Sequence, residues 1–462
     1  MQKLDLAGHN MTIASPEAVE AWNATVEHFL AHGRETPQAL GRVLAADPHC
    51  TLAWCAKGLF TFLLARAELS AIVAEALRQA EACVRERGAM PRELFYVEAL
   101  RQAAAGSFTG AIAALEQVLD ETPTDSLAAK LSHALRFMLG DCRGMRTSIE
   151  HVLERAGVDH VHLGYLLGCR AFALEETGAY REAETIGRRA IERAPRDAWG
   201  LHAVSHVHEM TGRAQEGAAF LEAHQGYVAH CNNFSYHVFW HLALFRLELG
   251  DIPATLQLYD ERIRAERTDD FRDIANAASL LTRLALANID VGTRWDELAD
   301  LAERRIADQS LVFADLHYLL ALIGAGRTDA AEHLALALAG PNLTGDQRSV
   351  AADVGAAAAK ALVAFGEERY GPCAQILLEL RPRLFAIGGS HAQRDVFEQM
   401  LIEAAVRGGL DGTARGLLLE RLRYRGSNRF AAERLAKLTT RTTSRLQAAG
   451  VPAAAVLAPK AD

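Results

Sequence analysis

The stretch GYLLGCRAFALEETGAYREAETIGRRAIERAPR, Gly164 to Arg196, decides the fold. It holds two amphipathic helical patterns separated by Gly178. Ala171 lies where the two helices of a hairpin cross, and Ala183 and Ala190 let the second helix lie close against the first. Pro195 stops that helix, because its ring removes an N–H and clashes with the preceding turn. Arg92 to Thr124 repeats the plan with Ala99, Gly106, Ala111 and Pro123. Working outward, glycines mark a turn in each successive unit: Gly106, Gly140, Gly178, Gly212, Gly250, Gly292, Gly326, Gly366 and Gly408. A period near 34 residues with two helical patterns per period is that of tetratricopeptide repeats. The expected fold is therefore all-α, a TPR-like α-α superhelical solenoid.

Half of the 462 residues are hydrophobic and 23% are charged, which is enough apolar surface for a large core and excludes a disordered chain. A repeat array grows by stacking, so this length need not mean several domains. Residues 1–449 are expected to form one repeat domain. Capping helices over about 15–90 start at Ser15-Pro16-Glu17, an N-cap followed by a first-turn proline and an acidic residue. The Ala- and Pro-rich segment 450–462 is expected to fray. The formal net charge is −9 and no basic block occurs, which argues against nucleic acid as a partner. Met1 to Asn10 holds no apolar run of secretion-signal length, and no stretch of ~20 apolar residues free of charge predicts a membrane span. Seven scattered cysteines, with no Cys-x-x-Cys, read as small buried hydrophobes in a reducing compartment, hence a cytoplasmic protein.

Two stretches stand out, Trp199 to Asp251 and Ile387 to Ala405, and within the second HAQRDVF is not dictated by repeat packing. The first holds HAVSHVHEMTGR (His202 to Arg213) and NNFSYHVFWHLALFRLELGD (Asn232 to Asp251), and the second reads IGGSHAQRDVFEQMLIEAA (Ile387 to Ala405). In these the chain resembles the tetratricopeptide repeat protein 38 family. The resemblance implies a helical solenoid and brings no reaction with it.

Candidate chemistry follows from helix periodicity. His202 and His206 are four apart and share a face, and so do His237 and His241. Counting back from Gly212 and Gly250 puts both pairs, and Glu209, on the side that lines the concave groove of such repeats. First helices of neighbouring repeats lie about 8–10 Å apart, so the four imidazoles can converge. Imidazole is the common side-chain ligand of divalent transition metals such as zinc, and the common group for proton transfer near neutral pH. His202, His206, His237 and His241 are thus candidate metal ligands or acid/base groups, with Glu209 as their partner. The same count places His317, with Asp315 beside it, and Arg394 with Asp395 on the groove side of later repeats. Arg394 and Asp395 are candidates for binding a ligand carboxylate or phosphate if the superhelix curls tightly. Gly388-Gly389-Ser390 before them offers backbone N–H groups to an anion. The competing reading makes the histidines a polar patch bonded among themselves. His208 points toward its own hairpin. Trp54, Trp199, Trp240 and Trp295 read as core, and ERLRYR (Glu420 to Arg425) reads as a solvated helix face.

Two functions are consistent with this pattern. One is an enzyme of hydrolase or lyase type, or a small-ligand binder, acting on a small polar or anionic substrate, with or without metal. The other is an interaction scaffold holding a peptide in the groove, alone or as a homo-oligomer. No nucleophile motif, P-loop or dinucleotide fingerprint is present.

Overall fold

The structure, a computed structural model, describes residues 2–340 and 343–448, so the tail expected to fray from 450 lies outside the described residues. The chain opens on a short antiparallel hairpin, β1 (Gln2–Leu4) and β2 (Asn10–Thr12), with Lys3 opposite Met11. Strands of three residues are too short for a period of two to declare itself in sequence.

Helical hairpins follow. They are α1 (Pro16–Leu30) with α2 (Thr36–Ala46), α3 (Thr51–Phe62) with α4 (Ser70–Arg87), α5 (Pro91–Ala104) with α6 (Phe108–Glu121), and α7 (Ser126–Met138) with α8 (Cys142–Arg155). Next come α9 (Leu163–Glu176) with α10 (Tyr180–Arg193), α11 (Ala198–Met210) with α12 (Ala214–Ala223), α13 (Phe234–Glu248) with α14 (Ile252–Leu258), and α15 (Phe271–Leu286) with α16 (Arg294–Arg304). The last are α17 (Val312–Gly324) with α18 (Thr328–Leu338), α19 (Gly345–Val350) continuing into α20 (Ala356–Gly366) with α21 (Tyr370–Leu380), α22 (His391–Arg407) with α23 (Asp411–Arg425), and finally α24 (Arg429–Ala448). The fold is an all-α, TPR-like solenoid.

The turn glycines are chemically required. Gly106, Gly140, Gly178, Gly212, Gly250, Gly292 and Gly326 all have φ between +58° and +82°, where a Cβ is strained. At the two later turns the marker is displaced. Gly366 ends α20 and Gly408 has φ −75°, while the left-handed residues are Glu368 and Gly409.

Inner and outer helices differ in burial. The outer α10 buries only Ala183, Ile186, Gly187, Ala190 and Ile191. The inner α9 is buried everywhere except Leu163 and Arg170. The inside is sealed because the superhelix curls until its second turn packs on its first. Gly33 pairs with Cys231, Arg66 Nη1 lies 2.9 Å from Asp269 Oδ1, and Asp346 N–H donates to Gly106 O at 3.2 Å. Further along, α22 and α23 pack on α11, α22 also packs on α15, and Arg434 reaches the carbonyl of Leu286 at 2.7 Å.

The run Gly345–Gly366 is long and apolar enough to cross a membrane by length and composition. This departs from the sequence reading, because a short window tolerates the few charges that a strict apolar count rejects. In the solenoid this helix packs against α17, α18 and α21.

Candidate functional site

The two histidine pairs meet. α11 carries His202 and His206, and the adjacent inner helix α13 carries His237 and His241. His202 Nε2 lies 2.8 Å from His206 Nε2 and 2.9 Å from His237 Nε2. The His241 ring centroid is 4.5 Å from that of His206, 4.9 Å from His237 and 5.0 Å from His202. One nitrogen from each ring fits within a set whose members all lie within 4.8 Å of one another. Tetrahedral zinc with Zn–N of about 2.0–2.1 Å spaces its nitrogens about 3.3 Å apart. His202, His206 and His241 are sealed from solvent, and His237 keeps partial exposure.

The outer nitrogens decide the tautomers. His237 Nδ1 is 2.8 Å from Asn276 Oδ1 on α15, an oxygen that only accepts. His241 Nδ1 is 3.1 Å from Glu209 Oε2, and His206 Nδ1 is 3.4 Å from Glu175 Oε2. His237 and His241 therefore carry hydrogen on Nδ1 and turn bare Nε2 lone pairs inward. His241 Nε2 has no hydrogen-bond partner. No distribution of protons turns both short N···N contacts of His202 into good hydrogen bonds. Its Nε2 can donate one hydrogen and serve one neighbour, or accept from His206 and face the bare Nε2 of His237. Adding a proton is opposed by burial, which holds all four imidazoles below their ordinary pKa; in three of the four, a neighbouring histidine adds to the effect. Around the cluster stand Phe172 stacked at 5.4 Å on His202, Trp199 at 4.9 Å from His202, and Trp240 stacked at 5.2 Å on His237.

Glu209 meets His241 as the spacing suggested, and it also faces Arg425 Nη1 at 3.7 Å. His208 turns to its own hairpin, with its ring 5.7 Å from Phe220. His317 is buried outside the four. Its Nδ1 is 2.7 Å from Phe313 O and its ring is 5.5 Å from Phe397, and burial lowers its pKa to about 4. Asp315 is also buried, with its pKa pushed up.

Arg394 and Asp395 are brought to the same region, but on protein partners. Arg394 donates to Glu176 Oε2 at 3.2 Å and to the carbonyls of Gly388 and Gly389. Glu176 Oε1 accepts from His391 N–H at 2.8 Å, at the first turn of α22. The N–H groups of Gly388 and Ser390, expected to face an anion, donate instead to Phe385 O and Gln393 Oε1, and the chain's own carboxylate, Glu176, sits one residue further on at His391. Against the cost of burial, His391 and Arg394 hold Glu176 down to about 2. Asp395 accepts from Arg421 at 2.5 and 2.9 Å and from Arg425 at 3.1 Å. The reading of ERLRYR as a solvated face is corrected here. Arg421 and Arg425 are buried, because the second turn lays this side of α23 on α11.

Sequence reasoning missed Glu175, Glu176, Asn276, Arg283, Arg421 and Arg425. Glu175 is fully buried, with neither oxygen in a well-formed hydrogen bond and Oε2 3.4 Å from His206 Nδ1, and burial with the neighbouring Glu176 pushes its pKa well up. A Glu-Glu pair at the end of an inner helix was a faint signal, and Arg283 among the leucines at the end of α15 was another.

No family model matches the chain. Among solved structures, the chain is similar to that titled as the APC/C hetero-tetramer Cut9–Hcn1, at 11% identity over 91% of this chain and 76% of that one, with a TM-score of 0.40. It is similar to yeast Tom70 at 12% identity over 93% and 89%, with a TM-score of 0.35. For the P58(IPK) TPR domain the values are 15%, 81%, 95% and 0.22.

Proposed function

We propose that this TPR-like solenoid houses a site for one divalent transition metal, such as zinc, bound by His202, His206, His237 and His241, and that the protein uses it as a metal-dependent enzyme or small-ligand binder. The observation that carries the reading is the inward convergence of Nε2 lone pairs that no set of protons can satisfy. One cation accepts four lone pairs at once. Asn276, Glu209 and Glu175 at the outer nitrogens are the partners that orient ligating imidazoles. Four protein donors fill a tetrahedral shell, so chemistry of hydrolase or lyase type requires one position to open. His237, the one of the four residues that keeps partial exposure, is the ligand placed to yield it. The two quoted stretches further support membership of the tetratricopeptide repeat protein 38 family.

Elemental analysis of protein purified without chelator tests the centre. About one metal per chain is expected, falling in His206→Ala and His241→Ala while the far-UV helical spectrum persists. Absence of metal in the wild type after reloading with zinc, copper, nickel and iron, or full retention in both variants, refutes it.

A second reading, an interaction scaffold, draws support from a cleft of about 1090 Å³ between the superhelical turns. Phe62 and Phe108 line it from one turn, and Leu336 and Gln347 from the other. Its dimensions suit a peptide better than a small molecule.

A further inference from the structure

Among the described residues, Arg283 is the buried guanidinium of the α11–α13–α15 region with no carboxylate in ion-pair contact, although Asp395 and Glu209 act on it from further off. Its guanidinium donates to the backbone carbonyls of Ser279 at 3.1 Å and Ala392 at 2.7 Å, and among the described residues it makes no ion pair. The neighbouring arginines are all paired. Arg421 and Arg425 share Asp395, Arg434 holds Glu403 at 2.6 Å, and Arg429 holds Glu433 at 2.6 Å. These bonds use two of the five N–H groups of Arg283, and its guanidinium also lies 5.5 Å from the Trp240 ring, so donors remain for an oxyanion. Burial bears on this charge, bringing its pKa down to about 10. A buried charge without a partner destabilises a fold strongly, so its retention asks for a partner that comes from outside.

Beside it lies a cavity of about 110 Å³. Arg283, Arg421 and Arg425 line its inner end with Glu209 and Asp395, and Ser427, Arg429 and Glu433 form an exposed mouth. It has room for a few non-hydrogen atoms, about the size of a phosphate or acetate ion. We propose that this cavity binds a small oxyanion, a carboxylate or phosphate group, with Arg283 as its anchor. Asp395, already shared by two arginines, and Glu209 act on Arg283 only from beyond ion-pair distance, and the anion supplies the direct contact that neither makes. The cavity shares Glu209 with His241, but none of the four histidines lines it, and the proposal does not depend on a metal being bound.

The test uses the full chain and two probes, sodium phosphate and sodium acetate, each against sodium chloride at matched ionic strength, read by calorimetric titration. The wild type is expected to bind at least one of them saturably below 10 mM, and the tighter one names the group. Ala287→Glu places a carboxylate one turn beyond Arg283, on the cavity wall. It should weaken oxyanion binding at least tenfold and raise the melting temperature of the anion-free protein. Arg283→Met should also abolish binding, and Arg283→Lys should retain part of it. No saturable binding by the wild type, or Ala287→Glu binding as the wild type does, overturns the proposal. Metal content measured in the same samples separates this outcome from failure of the histidine site.

Discussion

The closure of the superhelix can be tested with two chemically identical substitutions. Gly178 and Gly212 occupy the same turn position in successive hairpins, with φ of +82° and +70°. Alanine at either costs about 1–2 kcal/mol for the left-handed conformation. They differ in what lies beyond the turn. A Cβ on Gly178 meets nothing within 4 Å. A Cβ on Gly212 would overlap the carbonyl oxygen of Arg425 and come within 2.8 Å of Ser427 O, both on the second superhelical turn. That backbone would have to retreat by more than 1 Å to reach ordinary contact. The retreat takes Arg425 from Asp395 and Glu209, and Asn428 from Glu248 Oε2, now 3.1 Å away. Breaking a buried ion pair costs about 3–5 kcal/mol.

Gly178→Ala should therefore lose about 1–2 kcal/mol and Gly212→Ala about 4–7 kcal/mol. Urea unfolding midpoints measure the difference. Limited trypsin digestion should show new cleavage near Arg421 to Arg429 in Gly212→Ala only, because opening the seam exposes those arginines. Equal loss of stability in the two variants, with the same digestion pattern, would show that the second turn does not bear on the first.

Other consequences follow from the same contacts. Asp395→Ala leaves Arg421 and Arg425 without their shared carboxylate and should cost about 3–5 kcal/mol in denaturant unfolding, with a loss below 1 kcal/mol contradicting the buried network. Asn276→Ala removes the acceptor for His237 Nδ1 and should weaken metal affinity about 10–100-fold in chelator competition, while the melting temperature of the metal-free protein stays near that of the wild type. Asp197 is fully buried, and burial raises its pKa from 3.8 to about 7 against the nearby Lys130. The folded chain thus holds this proton more tightly than the unfolded chain, so stability falls as pH rises from about 4 to 7. Asp197→Asn should remove that loss, gaining at most about 4 kcal/mol at pH 8 and nothing at pH 3, as read from melting curves across pH.

What was legible in the sequence was local. Ala171, Gly178 and Pro195 act within one hairpin, so the repeat could be read from spacing alone. The histidine pairs were legible for the same reason, since i,i+4 spacing on α11 and α13 needs only the contact between adjacent repeats. Asn276, one repeat further on, lay within reach of that argument, but an asparagine in an inner helix carries no signal without the ring it faces. The partners that were missed come from far along the chain. Glu176 and His391 are 215 residues apart, and Glu248 and Asn428 are 180 apart. Such contacts depend on the small rotation between successive repeats summed over a whole superhelical turn, and a small error per repeat moves the meeting point by a full helix. This is why Arg421 and Arg425 read as solvated: their helix is polar on the side that the first turn covers. It is also why Arg394 was assigned to a ligand. It was read as suited to a ligand carboxylate or phosphate, and the carboxylate it meets in the fold is that of Glu176. Arg283 inverts that case. Among the described residues it has no carboxylate in ion-pair contact from either turn, so the reasoning that fails for Arg394 points outward there. The contrast gives closure a role in selecting ligands. The second turn neutralises the arginines whose partners it carries, and it leaves one cationic position for a molecule small enough to pass Ser427 and Arg429.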